Sequence, residues 1–169
     1  MTTPLSELLR DRHGAVYVEF IVAFLPLFIV FECLLQFSGM LTAKLVVQHA
    51  AVTAARAAVV VLHDDPEEYG DEGVGSASGK RLEAIELAAA IPMRSVRSIV
   101  DYEVTFPSQA GGTDSRTEFG RDDLVRVKVK AMYRCQVPIA SRLVCNSLTS
   151  TRYLTGEAAL PNHGASYEY

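Results

Sequence analysis

The sequence predicts an α+β fold in which a long N-terminal helix crosses a membrane and then packs on a small antiparallel sheet. Apolar residues are concentrated between positions 15 and 62, and charged residues fall almost entirely outside that stretch. Two later segments alternate between apolar and polar residues, as strands with one buried face do. The length of 169 residues allows one domain and one anchor.

The overall composition excludes few functions, but it argues against nucleic-acid binding. The net charge is -4, whereas nucleic-acid binders normally carry a basic patch. We therefore look for function in the organisation of the chain and expect no nucleic-acid partner.

The N-terminal third divides into a polar leader, residues 1–14, and an apolar anchor, residues 15–41. The leader ends in a basic group around Arg10 and Arg12, and the 27 residues after it contain few ionisable groups. A helix of that length reaches roughly 40 Å, which exceeds the ~30 Å hydrocarbon core of a bilayer. A cleaved secretory signal has a shorter apolar region and an A-x-A-like site, and neither is present here.

The orientation of the anchor rests on the short leader and not on charge. Arg10 and Arg12 on one side nearly balance Lys44 and Arg56 on the other, so the positive-inside rule does not decide. Only 14 polar residues precede the anchor, and a long region with a folded pattern follows it. We expect a single-pass protein of the bacterial cytoplasmic (inner) membrane, with its N-terminus inside.

Glu19 lies inside the apolar run, where a charged side chain costs about 2.5–3.5 kcal/mol at a helix centre. If a protease cut after Gly14, Ala15 would become the N-terminus and Glu19 the fifth residue, ~6 Å further along the helix. The new α-amine of one subunit could then pair with Glu19 of a neighbour. The alternative is an interfacial acid that snorkels to the membrane surface.

The stretch GAVYVEF, residues 14–20, followed by an apolar run with Leu25-Pro26-Leu27, resembles the processing site and anchor of TadE-like pseudopilins. These proteins belong to the tight-adherence (Tad/Flp) pilus system. The resemblance implies that a prepilin peptidase cuts between Gly14 and Ala15, and that Glu19, followed by Phe20, guides assembly. It also implies a pilin-like fold with its domain in the periplasm or outside the cell.

The partners that this resemblance implies are the peptidase, other pilin or pseudopilin subunits, the inner-membrane assembly platform and membrane lipid. The function it implies is that of a structural subunit of a Tad-type pilus or a related secretion machine. The resemblance covers the first ~60 residues by motif. The competing hypothesis is an unprocessed single-pass membrane protein whose outer domain binds a ligand or partner.

Glu32 is a second acid in the anchor, ~25 Å along the helix from Ala15. We expect it to snorkel at the far interface, and an inter-subunit contact is the alternative. Residues 42–62 continue the helical pattern as an Ala-rich extension whose polar residues form one narrow stripe. A second membrane span is disfavoured there by Gln48, His49 and Arg56.

Residues 63–79 are first acidic and then rich in Gly and Ser, which predicts a loop. Six acids in nine residues suggest calcium, but the ligand spacing of an EF-hand is missing, so a solvated charge run is the better interpretation.

Residues 80–169 are predicted to form an extracytoplasmic α+β domain. Its helix begins at a Ser78 cap and runs to about Ala90, with Pro92 as a stop. Strands are predicted at 99–106, 124–133 and 153–160, and they should bury one face of a small antiparallel sheet against the long helix.

Cys135 and Cys145 lie close together in the sequence of the predicted exported region. Such pairs commonly form a disulfide outside the cytoplasm, worth about 2–3 kcal/mol for a loop this short, although two free thiols remain the alternative. The four histidines are scattered without metal-site spacing, and no catalytic motif is present. We expect no metal, no cofactor and no enzymatic activity.

Overall fold

The computed structural model describes residues 14–162 and confirms an α+β arrangement of a long apolar helix and a three-stranded antiparallel sheet. Except for Gly14, the predicted leader lies outside the described residues. The elements in chain order are α1 (Ala15–Val61), a 3-10 turn (Pro66–Tyr69), α2 (Gly79–Met93), β1 (Ile99–Thr105), β2 (Leu124–Arg134), α3 (Pro138–Val144) and β3 (Thr151–Pro161).

Helix α1 is one continuous helix of 47 residues, roughly 70 Å long, and it joins the predicted anchor to the predicted extension. Pro26 lies inside it and has no N–H to donate to the carbonyl of Val22. Membrane helices tolerate this loss better than soluble ones do. The helix ends at Val61, immediately before the acidic loop begins.

The second half of α1 packs on the domain through a row of small side chains. Ala43, Val47, Ala50, Ala54 and Ala58 are fully buried at spacings of three or four residues, which place them on one face. Short side chains let the helix axis approach the sheet closely. The Ala-rich composition is thus the reason that this half of the helix, and not the first half, binds the domain.

The sheet has the order β1-β2-β3, with β2 in the centre. The predicted strands are confirmed, with ends that differ by at most two residues. Val125, Val127 and Val129 of β2 are fully buried on the face that meets α1, as their alternation predicts. Between the strands, the segment from 106 to 123 reaches the opposite face at Gly112, whose O accepts a 2.7 Å hydrogen bond from Lys128 Nζ.

Strand β3 approaches α1 most closely at Gly156. A Cβ built at this position would lie 2.5 Å from Val47 O and 2.8 Å from Gln48 Cα. Next to it, the Gln48 amide donates to Glu157 O at 2.7 Å and accepts from Glu157 N at 3.4 Å. The Gln48 side chain therefore bonds to β3 as a neighbouring strand would. It pairs the backbone N–H and C=O of Glu157 at this sheet edge.

Helix α2 differs from its prediction at both ends. Ser78 occupies the N-cap position, but its side chain makes no capping hydrogen bond. Glu72 caps the helix instead, because its carboxylate accepts from Lys80 N at 2.7 Å and from Arg81 N at 3.4 Å. The prediction that Ser78 caps this helix is therefore wrong. The folded loop brings the Glu72 carboxylate to the same amides.

Pro92 does not stop α2, which continues to Met93. Proline has no N–H for the carbonyl four residues earlier, which here belongs to Ala88. Thr53 Oγ1 of α1 donates to Ala88 O at 3.1 Å. The contact between the helices replaces the missing donor, so the last turn of α2 persists.

Arg81 is completely buried and connects the end of α1 to the acidic loop. Its guanidinium donates to the carbonyls of Val61 and of Asp64, the latter at 3.0 Å, and it lies 4.7 Å from the centre of the Tyr69 ring. The positive charge thus satisfies carbonyls that the end of α1 leaves unpaired. The predicted loop 63–79 is consequently packed on the domain along part of its length.

We expect Gly156→Ala to destabilise the domain by about 1–3 kcal/mol, because the added methyl group collides with the backbone of α1. Urea unfolding of the detergent-solubilised protein, followed by circular dichroism, measures this change. Gly73→Ala is the matched control, since a Cβ there meets no atom within 4 Å. Equal midpoints for the two variants would contradict this close approach.

The end of α1 also meets the end of β3 through His63. Asn162 Nδ2 lies 3.0 Å from His63 Nδ1 and donates at 2.9 Å to Gly120 O. His63 therefore accepts as a neutral ring. Burial, followed by the charges of Arg121 and Arg81, lowers the pKa of His63 below its ordinary value of 6.5.

We expect the stability of the domain to decline as the pH falls below about 6.5, because the unfolded chain then binds a proton that the folded His63 resists. Unfolding free energies measured between pH 7.5 and 5 should fall for the wild type and fall less for His63→Gln. Hydrogen bonds also lower the pKa values of Asp114 and Asp123 below 3.8, so their contribution is lost only in stronger acid. Identical pH profiles for the two proteins would refute this role of His63.

Candidate assembly and anchor surface

The first part of α1, Val16–Leu35, projects from the domain with most of its side chains exposed. We call this stretch the bare helix. From Val16 to Phe28 every side chain is exposed, and the first buried residue is Gln36, at 2% exposure. The stretch Val16–Leu35 is about 20 residues and roughly 30 Å long, which matches the hydrocarbon core of a bilayer. By length and composition this helix could span a membrane.

Gln36 forms the first hydrogen bonds between α1 and the domain. Its Oε1 accepts from Gln136 N at 3.1 Å and from Val137 N at 3.0 Å, just before α3 begins. The fully buried part of α1 therefore starts at Gln36, within the predicted anchor 15–41. The sequence signal for this contact was a glutamine near the end of an apolar run, and the prediction did not use it.

Glu32 lies one turn before Gln36, and residues four apart share a helix face. Its side chain is half-buried, and its Oε2 is buried with no hydrogen-bond partner among the described residues. The sequence predicts that this acid snorkels at the far interface. In the structure one of its carboxylate oxygens is shielded by protein, on the side of α1 that carries Gln36.

The predicted processing and assembly residues lie together at the start of α1. Gly14 is exposed, precedes the helix and accepts a 3.2 Å hydrogen bond from Val18 N. Ala15 is the first helical residue, and Glu19 and Phe20 are exposed one turn later. Within residues 14–162 the Glu19 carboxylate has no ion-pair partner.

An aromatic ladder runs along the same exposed part of the helix. The ring of Phe24 lies 5.4 Å from that of Phe20 and 5.9 Å from that of Phe28, and both pairs are stacked. The spacing of four residues places the rings on one face. The sequence prediction included Phe20 but not the ladder, although the spacing alone would have revealed it.

Cys135 and Cys145 form a disulfide, with their Cα atoms 6.7 Å apart. The bond connects the end of β2 to the end of α3 and so holds α3 beside α1. Cys33 is a free thiol, half-buried on α1.

The described part of the chain contains no group of three His, Cys, Asp or Glu side chains that could hold a metal ion. An open cleft between α1 and β3 is lined by Phe37, Leu41, Lys44 and Tyr153 among others. It combines apolar walls with two exposed cations, Lys44 and Arg152. It contains no arrangement of a nucleophile and a base.

The candidate functional surface is therefore the bare helix. The predicted processing and assembly residues lie at its start, namely Gly14, Ala15, Glu19 and Phe20. A helix that exposes apolar side chains on all sides can pack in an apolar medium. Comparison with known proteins yields no match, since no family model, curated protein or solved structure is similar to the chain.

Proposed function

We propose that this chain is a pseudopilin-like assembly subunit, cut by a prepilin peptidase after Gly14 and assembled through the bare helix. The observation that carries the proposal is the geometry of the bare helix. Sixteen exposed apolar residues lie between Val16 and Leu35, and Glu19 is the only acid before Glu32.

The exposed apolar surface requires lipid or other helices around it. Residues such as Val16, Phe20, Leu27 and Phe31 are more than half exposed. Each such side chain gains about 1.5–3 kcal/mol on complete removal from water. A helix that is apolar on all sides is buried in a membrane or among other helices. Both environments are available to a subunit that leaves the bilayer to join an assembly.

Glu19 supports the assembly half of the proposal by its charge. Its carboxylate is one turn from Ala15, whose α-amine would be positive after cleavage at neutral pH. An amine of a neighbouring subunit would supply the counter-ion that Glu19 lacks in the single chain. Pairing between staggered copies would satisfy both charges at once.

The location of the domain completes the proposal. The disulfide Cys135–Cys145 is compatible with an oxidising compartment outside the cytoplasm. The domain would then lie in the periplasm or outside the cell, with pilin-like subunits and the inner-membrane assembly platform as partners.

We expect the protein purified from membranes that contain a prepilin peptidase to begin at Ala15. N-terminal sequencing or intact mass measures this directly. Gly14→Leu should retain the leader, because the peptidase must accommodate this side chain, whereas Gly73→Ala should be cut normally. A native chain with an intact leader would favour the alternative function, an unprocessed membrane protein with a binding domain.

The same assay separates cleavage from assembly through Glu19→Gln. This variant should be cut normally but should reduce cross-linking between neighbouring anchor helices by at least about tenfold, since one partner of the charge pair is gone. Glu32→Gln is the matched control, because one oxygen of its carboxylate is already shielded within its own chain. Equal cross-linking in the two variants would contradict the proposed role of Glu19.

A further inference from the structure

Helix α3 and the turn after it lie at the end of the domain from which the bare helix emerges. They connect β2 to β3, and the residues just before α3 bond to Gln36. The position of Gln36 is roughly 30 Å along α1 from Val16. If Val16–Leu35 spans a bilayer, as the proposed function requires, this end of the domain lies at the membrane surface.

Three large apolar side chains protrude from this end. Ile139 is 41% exposed, Leu143 65% and Leu148 92%, whereas Ala140 and Ser141 on the other face of α3 are buried. We call Ile139, Leu143 and Leu148 the apical patch. No described part of the domain covers it.

The apical patch is held in place and is not a loose loop. The disulfide fixes the end of α3, and Asn146 orders the turn that presents Leu148. Asn146 Oδ1 accepts from Leu148 N at 3.0 Å, and its backbone O accepts from Ser150 N at 2.8 Å. The exposure of Leu148 is thus a consequence of a hydrogen-bonded turn.

The charged residues of the segment that carries the apical patch are all positive, and the half-buried Glu32 lies on the adjoining turn of α1. Residues 131–156 contain Arg134, Arg142 and Arg152 and no Asp or Glu, although the chain as a whole carries -4. Arg152 also donates from Nη1 to Val144 O at 3.1 Å, next to the disulfide. The acidic run 64–72, with its six carboxylates, lies beyond the opposite end of α1.

We propose that the apical patch is a lipid-docking surface that rests on the bilayer from which α1 emerges. Ile139, Leu143 and Leu148 enter the boundary between headgroups and acyl chains, and the arginines pair with anionic phosphates. The acidic run faces away from the negative membrane. Apolar exposure, basic charge and position at the end of the anchor together select lipid as the occupant.

Tryptophan fluorescence tests this inference, because the chain contains no Trp and a single substitution is an unambiguous reporter. The full chain with L143W is placed in nanodiscs that contain lipids brominated near the headgroup. We expect its emission to be quenched at least about twofold. L148W is a second reporter at the more exposed position.

Two control reporters distinguish failure of this inference from failure of the proposed anchor. L27W lies in the bare helix and should be quenched by deeply brominated lipids. V60W lies at the opposite end of α1, is exposed and should remain unquenched. An unquenched L143W and L148W beside a quenched L27W would overturn lipid docking and leave the patch to a protein partner, whereas an unquenched L27W would refute the membrane span itself.

The last part of the experiment varies the charge of the lipid to test the role of the arginines. Adding phosphatidylglycerol to phosphatidylcholine nanodiscs should increase the quenching of L143W, and R142Q in the same background should reduce that increase. Circular dichroism and an intact disulfide establish that each variant is folded. Quenching that ignores both lipid charge and R142Q would overturn the proposed role of the arginines.

Discussion

The packing of one half of α1 on the sheet is the constraint on which the rest of the molecule depends. A row of alanines and valines from Ala43 to Ala58 brings the helix backbone against β2 and β3, and Gly156 removes the last side chain from the closest crossing. The residues before Gln36 lack this small-residue face. Most of their bulky apolar side chains are exposed, so one part of the helix forms the domain core and another part could span a membrane.

The domain is also polarised along α1. The end near Gln36 carries α3, the disulfide and a segment whose charged residues are all arginines, whereas the far end carries Arg81, His63 and the acidic loop. Each end is joined to α1 by polar contacts that satisfy backbone groups, at Gln36 and at Arg81. These contacts fix how far the helix projects, because they set where packing begins and where the helix ends.

The apolar run, the alternating valines of β2 and the Ala-rich extension were sufficient to predict the long helix, the antiparallel sheet and the face that they share. Three features were not predictable: the cap of α2, the persistence of its last turn through Pro92 and the burial of one Glu32 carboxylate oxygen. The first two depend on partners distant in the sequence, namely Glu72 and Thr53, and the third depends on the shielding that the fold provides. Local pattern identifies the residue that needs a partner, but only the fold supplies it.

The boundary at Gln36 is the central claim, and a nitroxide scan along α1 in nanodiscs tests it most directly. In a Cys33→Ser background, labels from Val16 to Leu35 should contact oxygen-rich lipid on most faces of the helix. Beyond Gln36, labels at Leu45 and Val60 should meet water, and a label at Val47 should be immobilised inside the domain. Lipid contact continuing around the helix to Leu45, or water contact throughout Val16–Leu35, would contradict the account.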